Sequence, residues 1–186
     1  MTVTPEVLGG LLDRIRSVGA ALICVDGPAG SGKTTLAAQL ADALGAPVVH
    51  LDDLYEGWEA GPDGGAANLA RWVLDPLAAG AQARYRRYDW DAGAWAEWHA
   101  LPPSSHVVVE GCGAAARQVD AFPGGAFVIW VEADDAERLR RGLERDGAAA
   151  RDHWLRWMKD EAAHYTREHT RARAHVRLDG VGRLTH

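Results

Sequence analysis

Residues 27–34 read Gly-Pro-Ala-Gly-Ser-Gly-Lys-Thr and fit the pattern G-x-x-x-x-G-K-[ST]. Residues 20–26, directly before this stretch, form an apolar run typical of a strand buried on both faces. Leu36, Leu40 and Leu44 follow it at helical spacing. A glycine-rich turn between a strand and a helix points backbone N–H groups at an anion, so the stretch predicts a phosphate-binding loop.

The side chains of this loop predict a nucleotide with Mg²⁺ as the ligand. Lys33, one of only two lysines in the chain, would place its ammonium group on the outer phosphates of ATP. The hydroxyl of Thr34 is suited to ligate Mg²⁺. ATP and Mg²⁺ are therefore the expected cofactors. The predicted contacts with the nucleotide are Gly27, Ala29, Gly30, Ser31, Gly32, Lys33, Thr34 and Thr35.

Further short apolar runs predict four more strands, at residues 48–51, 107–109, 127–131 and 175–178. Helical patterns lie between them, at about residues 69–77, 133–145 and 151–170. The glycine- and alanine-rich residues 57–67 indicate a loop. Apolar strands that alternate with helices are typical of a parallel sheet covered on both faces. The predicted fold class is α/β, with a five-stranded parallel sheet flanked by helices. The phosphate-binding loop in this setting resembles the P-loop NTPase fold, which implies the strand order 2-3-1-4-5 and a helical lid.

Length, charge and composition exclude several classes of protein. The chain has 186 residues, which suits one domain, and it has no apolar run long enough to span a bilayer. Its net charge of −6 argues against a nucleic-acid partner. Two cysteines and no signal-peptide pattern favour a cytoplasmic location without a membrane partner. We expect a single domain over residues 1–186, acting on a small molecule as a monomer or homodimer.

Acidic residues follow two of the predicted strands. Glu110 ends the third strand, and Asp52 and Asp53 follow the second. Ligands of open α/β sheets bind at the carboxyl ends of strands, so Thr34, Asp52 and Glu110 are the residues expected around Mg²⁺. Asp52 is also placed to accept the proton of an acceptor hydroxyl or to orient it. Asp53 is expected to point elsewhere, because neighbouring residues of an extended segment face opposite sides.

Several classes of protein share the phosphate-binding loop. The chain has no N/T-K-x-D guanine motif, which argues against a GTPase, and it is short for a motor or transporter ATPase. A small-molecule kinase fits the length but needs a lid of arginines over the transferred phosphoryl group. Arg138, Arg141 and Arg145 recur at i, i+3 and i+7, on one helix face. The alternative is a solvated face in which these arginines pair with Glu137 and Glu144.

Aromatic residues concentrate between the second and third predicted strands. Flat rings suit a cyclic acceptor, and the interleaved arginines suit its polar or anionic groups. Trp72 and Trp98 are more simply explained as core anchors of flanking helices. We therefore expect residues 52–104 to form an insertion that binds the acceptor. The predicted acceptor contacts are Asp52, Tyr55, Trp58, Arg87, Tyr88, Asp89, Trp90 and Glu110.

Four short elements occur in the order found in the uridine kinase-like branch of P-loop kinases, which includes uridine–cytidine, nicotinamide riboside and pantothenate kinases. Asp52-Asp53-Leu54-Tyr55 resembles its D-x-F-Y or D-D-F-F element, and Tyr88-Asp89-Trp90 resembles its Tyr-Asp-aromatic element. Glu110-Gly111 resembles the end of its third strand. Residues 138–146 resemble its lid, which reads close to R-L-x-R-x-x-x-R-D. The resemblance extends over residues 22–147.

The resemblance implies a role for each element. Asp52 would be the base, and Thr34 and Glu110 would serve Mg²⁺. Residues 134–152 would form the lid, whose arginines contact ATP. Residues 91–95 depart from the uridine kinases, since they carry neither the His nor the Arg that helps those enzymes read the nucleobase. The expected catalytic residues are Lys33, Asp52, Arg141 and Arg145, with Arg138 as a further ATP contact.

The sequence thus predicts an ATP- and Mg²⁺-dependent kinase that moves the γ-phosphoryl group of ATP to a hydroxyl of a small molecule, first of all a nucleoside or nucleoside-like compound. A kinase for a sugar, vitamin or antibiotic is the alternative among enzymes. A nucleotide-binding regulatory protein that hydrolyses ATP slowly is the alternative outside them. Strong stimulation of ATP turnover by one small molecule would separate the enzyme from the regulator.

Overall fold

A computed structural model describes residues 1–185 of the chain. Its strands are β1 (Leu22–Asp26), β2 (Val48–His50), β3 (Arg84–Asp89), β4 (Ala94–Ala100), β5 (Val107–Glu110), β6 (Ala126–Glu132), β7 (Val176–Asp179) and β8 (Leu184–Thr185). Six of them form one sheet in the order β2-β5-β1-β6-β7-β8, and β3 pairs with β4 in a separate hairpin. Within the large sheet only the pairing of β7 with β8 is antiparallel. The predicted α/β fold with a mostly parallel sheet is confirmed.

The sheet has six strands instead of the predicted five, because the chain turns back after β7. The Asp179 carboxylate accepts hydrogen bonds from the N–H groups of Val181 (3.0 Å) and Arg183 (2.8 Å). The N–H of Asp179 donates in turn to the Arg183 carbonyl (2.9 Å). Such an Asp-centred turn lays β8 beside β7 as a short edge strand.

The helices are α1 (Pro5–Val18), α2 (Lys33–Leu44), α3 (Gly61–Leu69), α4 (Asp75–Ala78), α5 (Asp135–Asp146), α6 (Arg151–Glu168) and α7 (Thr170–Arg173). The first of them was not among the predicted elements. Thr4 caps α1, Pro5 occupies its first turn, and Gly19 ends it in the left-handed conformation. It buries Leu11 and Ile15 in the apolar core on one face of the sheet. No helix in the described residues 1–185 is long and apolar enough to cross a membrane.

The register of the parallel strands brings three polar side chains to one edge of the sheet. Val25 of β1 pairs with Glu110 of β5, and His50 of β2 pairs with the same Glu110. Asp26 is the last residue of β1. The carboxyl ends of β1, β2 and β5 therefore meet, which is where open α/β sheets place their ligands.

Residues 57–67, expected to be a loop, are largely helical. A single 3₁₀ turn (Trp58–Ala60) leads into α3, and a π-helical turn (Ala70–Leu74) joins α3 to α4. Gly65 shows why glycine occurs within α3, since a Cβ there would lie 2.3 Å from the Tyr55 ring. Close packing on a buried ring stabilises a helix that glycine propensity alone disfavours.

The hairpin of β3 and β4 was also not predicted. Its strands carry charged and aromatic residues without regular alternation, and the pairing is irregular between Arg86 and Tyr88. Trp72 contacts the hairpin edge-on, with its ring centre 5.1 Å from that of Trp95 and 5.6 Å from that of Trp98. Trp98 is about half exposed, so it is not the core anchor that was expected.

Candidate active site

A cavity of about 880 Å³ lies at the carboxyl ends of β1, β2 and β5. It is lined by the phosphate-binding loop, the turn after β2, the β3–β4 hairpin and parts of α5 and α6. The predicted site residues that line it are Ala29, Gly30, Gly32, Lys33, Thr34, Thr35, Asp52, Tyr55, Trp58, Arg87, Tyr88, Trp90, Glu110, Arg141 and Arg145. Those outside its lining are Gly27, Ser31, Asp89 and Arg138.

The phosphate-binding loop closes around its own lysine. Lys33 begins α2, and its Nζ donates to the Pro28 carbonyl (2.9 Å), which folds the side chain back across the loop. Burial lowers the pKa of Lys33, but the acidic groups around it outweigh burial, and the pKa lies above its ordinary value. Gly27 packs so tightly on β6 that a Cβ would lie 2.0 Å from the Val131 carbonyl oxygen. The loop therefore presents a protonated lysine from a rigid backbone.

Asp26 anchors the start of the loop, a role that sequence analysis did not assign to it. Its buried carboxylate accepts hydrogen bonds from the N–H groups of Gly27 (2.6 Å), Gly113 (3.0 Å) and Ala115 (2.8 Å), and from the Tyr165 hydroxyl (2.8 Å). Burial raises the pKa of Asp26, and these hydrogen bonds oppose the rise. One side chain thus ties the loop to the segment after β5 and to α6.

A buried ion pair holds the next part of the loop. The N–H of Ala29 donates to Glu161 Oε2 (2.8 Å), and the carbonyl of Ala29 accepts from Arg138 Nη1 (3.0 Å). Arg138 Nη1 also donates to Glu161 Oε1 (2.5 Å), and its other nitrogens pair with Asp135. Glu161 is 1 % exposed and Arg138 is 4 % exposed. Arg138 was expected to contact ATP, but the structure places it beneath the loop, where it holds the Ala29 peptide with Glu161.

Replacement of Glu161 by glutamine should destabilise the fold. Both carboxylate oxygens of Glu161 accept hydrogen bonds, one from Arg138 and the other from Ala29 N–H, so an amide must turn a donor toward a donor. We expect the free energy of unfolding to fall by about 3 kcal/mol, at the lower end of the cost of breaking a buried ion pair. Urea denaturation measures it. Glu144→Gln, which loses only an exposed pair, is the control, and equal effects of the two changes would contradict the role of the buried pair.

Oxygen ligands suited to Mg²⁺ meet beside Lys33. The Thr34 hydroxyl donates to Glu110 Oε1 (3.1 Å), and His50 Nδ1 lies 2.7 Å from the same oxygen. This hydrogen bond to Glu110 raises the pKa of His50. Residues 1–185 hold no group of three or more His, Cys, Asp or Glu that could bind a metal alone. The donor set fits Mg²⁺, which takes few protein oxygens and relies on substrate phosphates and water.

Two neighbouring acids open onto the same cavity from the turn Leu51–Asp53. The Asp52 side chain is solvent-accessible, but the cavity walls limit its hydration, and this crowding together with the charge of Glu110 raises the pKa of Asp52. Burial likewise raises the pKa of Asp53. Asp53 was expected to point elsewhere, yet it lines the cavity too, because the chain forms a 3₁₀ turn here and not an extended segment.

Aromatic side chains form a wall of the cavity. Trp58 and Tyr88 each meet Trp90 edge-on, both with ring centres 5.5 Å apart. Trp90 Nε1 donates to the backbone carbonyl of Asp52 (2.9 Å), which fixes the indole beside the acidic turn. Trp154 and Trp157 of α6 also line the cavity.

Two of the predicted acceptor contacts have structural partners instead. Tyr55 is 1 % exposed, and its hydroxyl donates to the Cys112 carbonyl (2.8 Å), so the ring belongs to the core beneath the cavity. Asp89 accepts from the N–H groups of Asp91 (3.1 Å) and Ala92 (2.9 Å) and thereby forms the hairpin turn. Neither side chain is free to bind an acceptor.

Two further arginines of α5, Arg141 and Arg145, line the cavity. Arg141 Nη1 donates to the Gly30 carbonyl (3.2 Å), and its Nε pairs with Glu137 (2.8 Å). Arg145 pairs with Asp146 (2.7 Å) and is mostly exposed. The pairing of Arg141 with Glu137 is one that the solvated-face alternative expects, and Arg140 pairs with both Glu137 and Glu144 on the surface.

A family model described as AAA domain matches residues 23–165 of the chain. The chain belongs to this AAA domain family. Cytidylate kinases from two strains of Nitratidesulfovibrio vulgaris are 40% identical to it over 62 residues, 32% of this chain and 25% of theirs. A shikimate kinase of Symbiobacterium thermophilum is 33% identical over 129 residues, 66% of each chain. The chain thus spans about a quarter of the length of the cytidylate kinases and about two-thirds of the length of the shikimate kinase.

Among solved structures, this protein resembles a possible uridine kinase from Bacillus stearothermophilus, with a TM-score of 0.65 and 22% sequence identity. The match covers 92% of this chain and 97% of that one. The likeness shows a shared fold. At the level of the fold, this agrees with the predicted resemblance to the uridine kinase-like branch.

Alanine replacement of the arginines of α5 should separate the two that line the cavity from the one on the surface. Arg141→Ala and Arg145→Ala are each expected to lower kcat more than ATP affinity, because a charge over the phosphates acts mainly as negative charge develops in the transition state. Arg140→Ala is the matched control and should keep full activity. Steady-state kinetics and ATP titration measure both quantities. Unchanged kcat in the first two variants would show that α5 is only a solvated face.

Proposed function

We propose that the chain is an ATP- and Mg²⁺-dependent phosphotransferase that moves the γ-phosphoryl group of ATP to a hydroxyl of a small molecule. The observation that supports this most directly is the shared cavity, in which Lys33 and Thr34 lie with Asp52, Glu110 and an aromatic wall. The kinase names of the matched relatives point to the same class of reaction. We further propose a nucleoside or nucleoside-like acceptor, since flat rings favour a flat ligand.

Each side chain has a role in this reaction. Lys33, Arg141 and Arg145 bind the phosphates and stabilise the charge that develops on the transferred group. Asp52 accepts the proton of the acceptor hydroxyl, whose oxygen forms a bond to the γ-phosphorus. The bond from that phosphorus to the β–γ bridging oxygen breaks, and ADP leaves. Mg²⁺, when held by Thr34 and Glu110, neutralises phosphate charge.

The proposed division of the chain follows from these roles. Residues 134–152 would act as the lid that excludes water, with α5 carrying its arginines over the phosphates. Residues 52–104 would bind the acceptor through Trp58, Tyr88 and Trp90. The protein would act in the cytoplasm as a monomer or homodimer.

The relatives are named for cytidylate and shikimate, which are anions, but this cavity offers little to bind an anionic acceptor. Arg84 lies over the Trp98 ring at 6.0 Å, and Arg86 donates to the carbonyls of Trp95 and Ala96. Arg87 lines the cavity but is paired with Glu97 and Asp89. The three arginines expected to bind anionic groups of the acceptor are therefore engaged elsewhere, which favours an acceptor without a negative charge.

A screen of hydroxylated metabolites for ADP release tests the proposed function. One compound should stimulate ATP turnover strongly, and Lys33→Ala should abolish the stimulation. A sugar, vitamin or antibiotic as the compound that responds would overturn the nucleoside proposal but keep the kinase. Tight ATP binding with no acceptor in the whole screen would favour a nucleotide-binding regulatory protein and overturn the kinase.

A further inference from the structure

The part of the cavity lined by Asp52, Asp53, Trp58, Tyr88 and Trp90, here called the acceptor end, has aromatic walls held in fixed positions. Trp58 is stacked on His153 at 5.4 Å and meets Trp90 edge-on. Trp90 is 40 % exposed even though its Nε1 is bonded to the Asp52 carbonyl. An exposed indole fixed at a cavity wall leaves a π-face available to a ligand.

In the part of the chain that the structure describes, the carboxylates at the acceptor end have no direct partner, although Lys33, Arg145 and His50 act to lower the pKa of Asp52, and His50, His99 and Arg87 act to lower that of Asp53. Within the described residues 1–185, the carboxylates of Asp52, Asp53 and nearby Asp91 accept no hydrogen bond and join no ion pair, although all three line the cavity. Arg87, which lines this end of the cavity from the hairpin, already pairs with two carboxylates. Of the other cations that line the cavity, Lys33 and Arg141 contact the phosphate-binding loop, whereas Arg145 pairs with Asp146 and acts on the charge of Asp52 from a distance.

We propose that the acceptor is an organic cation that bears a hydroxyl group, its positive charge bound against Trp90 and Trp58 and beside Asp53 and Asp91. Aromatic faces attract cations through the ring quadrupole, and the attraction grows when the site is partly desolvated. Unpaired carboxylates around the same space add Coulomb attraction. Asp52 is left to act on the hydroxyl. The inference rests on the proposed function, because it takes this part of the cavity as the acceptor site.

Choline and 3,3-dimethylbutan-1-ol provide a matched pair of probes. The two compounds have the same shape and the same hydroxyl group. Choline has a positively charged nitrogen at the position where the alcohol has an uncharged carbon. Each carries nine equivalent methyl protons, so proton NMR line broadening measures the two dissociation constants without any turnover. Wild-type protein with ATP and Mg²⁺ should bind choline on the order of 10-fold tighter than the neutral alcohol.

Substitutions at the acceptor end test which side chains produce the preference for choline. Trp90→Leu removes the aromatic face and should bring the affinity ratio of the two probes close to one, whereas Trp90→Phe keeps a ring and should retain part of the preference. Asp53→Asn should lower the ratio as well. Trp98→Leu is the control, because this indole lies on the same hairpin but outside the cavity lining. A ratio near one in the wild type, or a ratio unchanged by Trp90→Leu, would overturn the inference.

The same measurements distinguish the inference from the function on which it rests. A preference for the cation that depends on Trp90, with no ADP release from any acceptor in the screen, would overturn the kinase proposal and leave a cation site. Strong ADP release with a neutral acceptor, with no preference between the two probes, would overturn the cationic acceptor and leave the kinase.

Discussion

Replacement of Lys33 by alanine is expected to lower kcat for phosphoryl transfer by at least about 10²–10³-fold, the cost of removing one preorganised donor from a developing negative charge. The ammonium group of Lys33 lies within the phosphate-binding loop, folded onto the Pro28 carbonyl. When a phosphate binds, the ammonium group of Lys33 would contact the charged phosphate in place of the neutral Pro28 carbonyl. The variant leaves the loop backbone in place, since Asp26 and Glu161 hold it independently of the lysine.

The second lysine of the chain provides the control for this change. Lys159 is exposed on α6, so Lys159→Ala removes the same charge from the protein without touching the cavity. Wild-type kcat in this control, together with an unchanged thermal unfolding temperature in both variants, would assign the loss to the site and not to the fold. Lys33→Ala that turns over any acceptor at the wild-type rate would contradict the role of the loop.

The sequence predicted those parts of the fold and site that depend on local pattern. Strands β1, β5 and β6 are continuous apolar runs, which is the signature of strands buried on both faces, and their acids come at the carboxyl ends. Parallel strands bring such ends to one edge, so Asp52 and Glu110 could be placed near the phosphate-binding loop without knowledge of any contact. Spacing along one helix likewise predicted α5 and its arginines.

The sequence could not predict partners that meet only through tertiary packing. Ala29 and Glu161 are 132 positions apart. Helical spacing places Glu161 on the same face of α6 as Trp154 and Trp157, but it does not show which group of another element that face meets. Arg138 has the same helical spacing as Arg141 and Arg145, yet burial under the loop gives it a different role. Charge and periodicity show which face a residue shares, but not whether that face meets solvent, a cavity or another buried charge.

The hairpin and α3 were missed for a related reason. In α3 the sequence offers glycines, which disfavour helix, and the compensating contact is the distant Tyr55 ring. In β3 and β4, aromatic residues replace a clean alternation of apolar and polar positions, and their packing partner is Trp72 of the π-helical turn. Elements such as these are stabilised by contacts with distant residues and not by their local sequence pattern, so the sequence alone does not predict them.

Replacement of Asp52 by asparagine should separate binding from chemistry. The amide keeps the size of the carboxylate and part of its hydrogen bonding, but it can neither accept the hydroxyl proton nor carry charge beside Glu110. Loss of a general base costs on the order of 10²–10⁴-fold in rate. ATP affinity should change little, because the phosphates are bound by Lys33, the loop amides and the arginines of α5. Measurement of kcat, the acceptor KM and the ATP dissociation constant records the separation.

Asp53→Asn is the matched comparison, since it makes the same chemical change one residue away in the same turn and the same cavity. If Asp53 binds the acceptor and Asp52 acts on its hydroxyl, Asp53→Asn raises the acceptor KM and leaves kcat within a few-fold of wild type, whereas Asp52→Asn lowers kcat itself. The opposite result would assign the base to Asp53, whose side chain is the more buried of the two. Wild-type kcat in both variants would contradict a catalytic role for this turn.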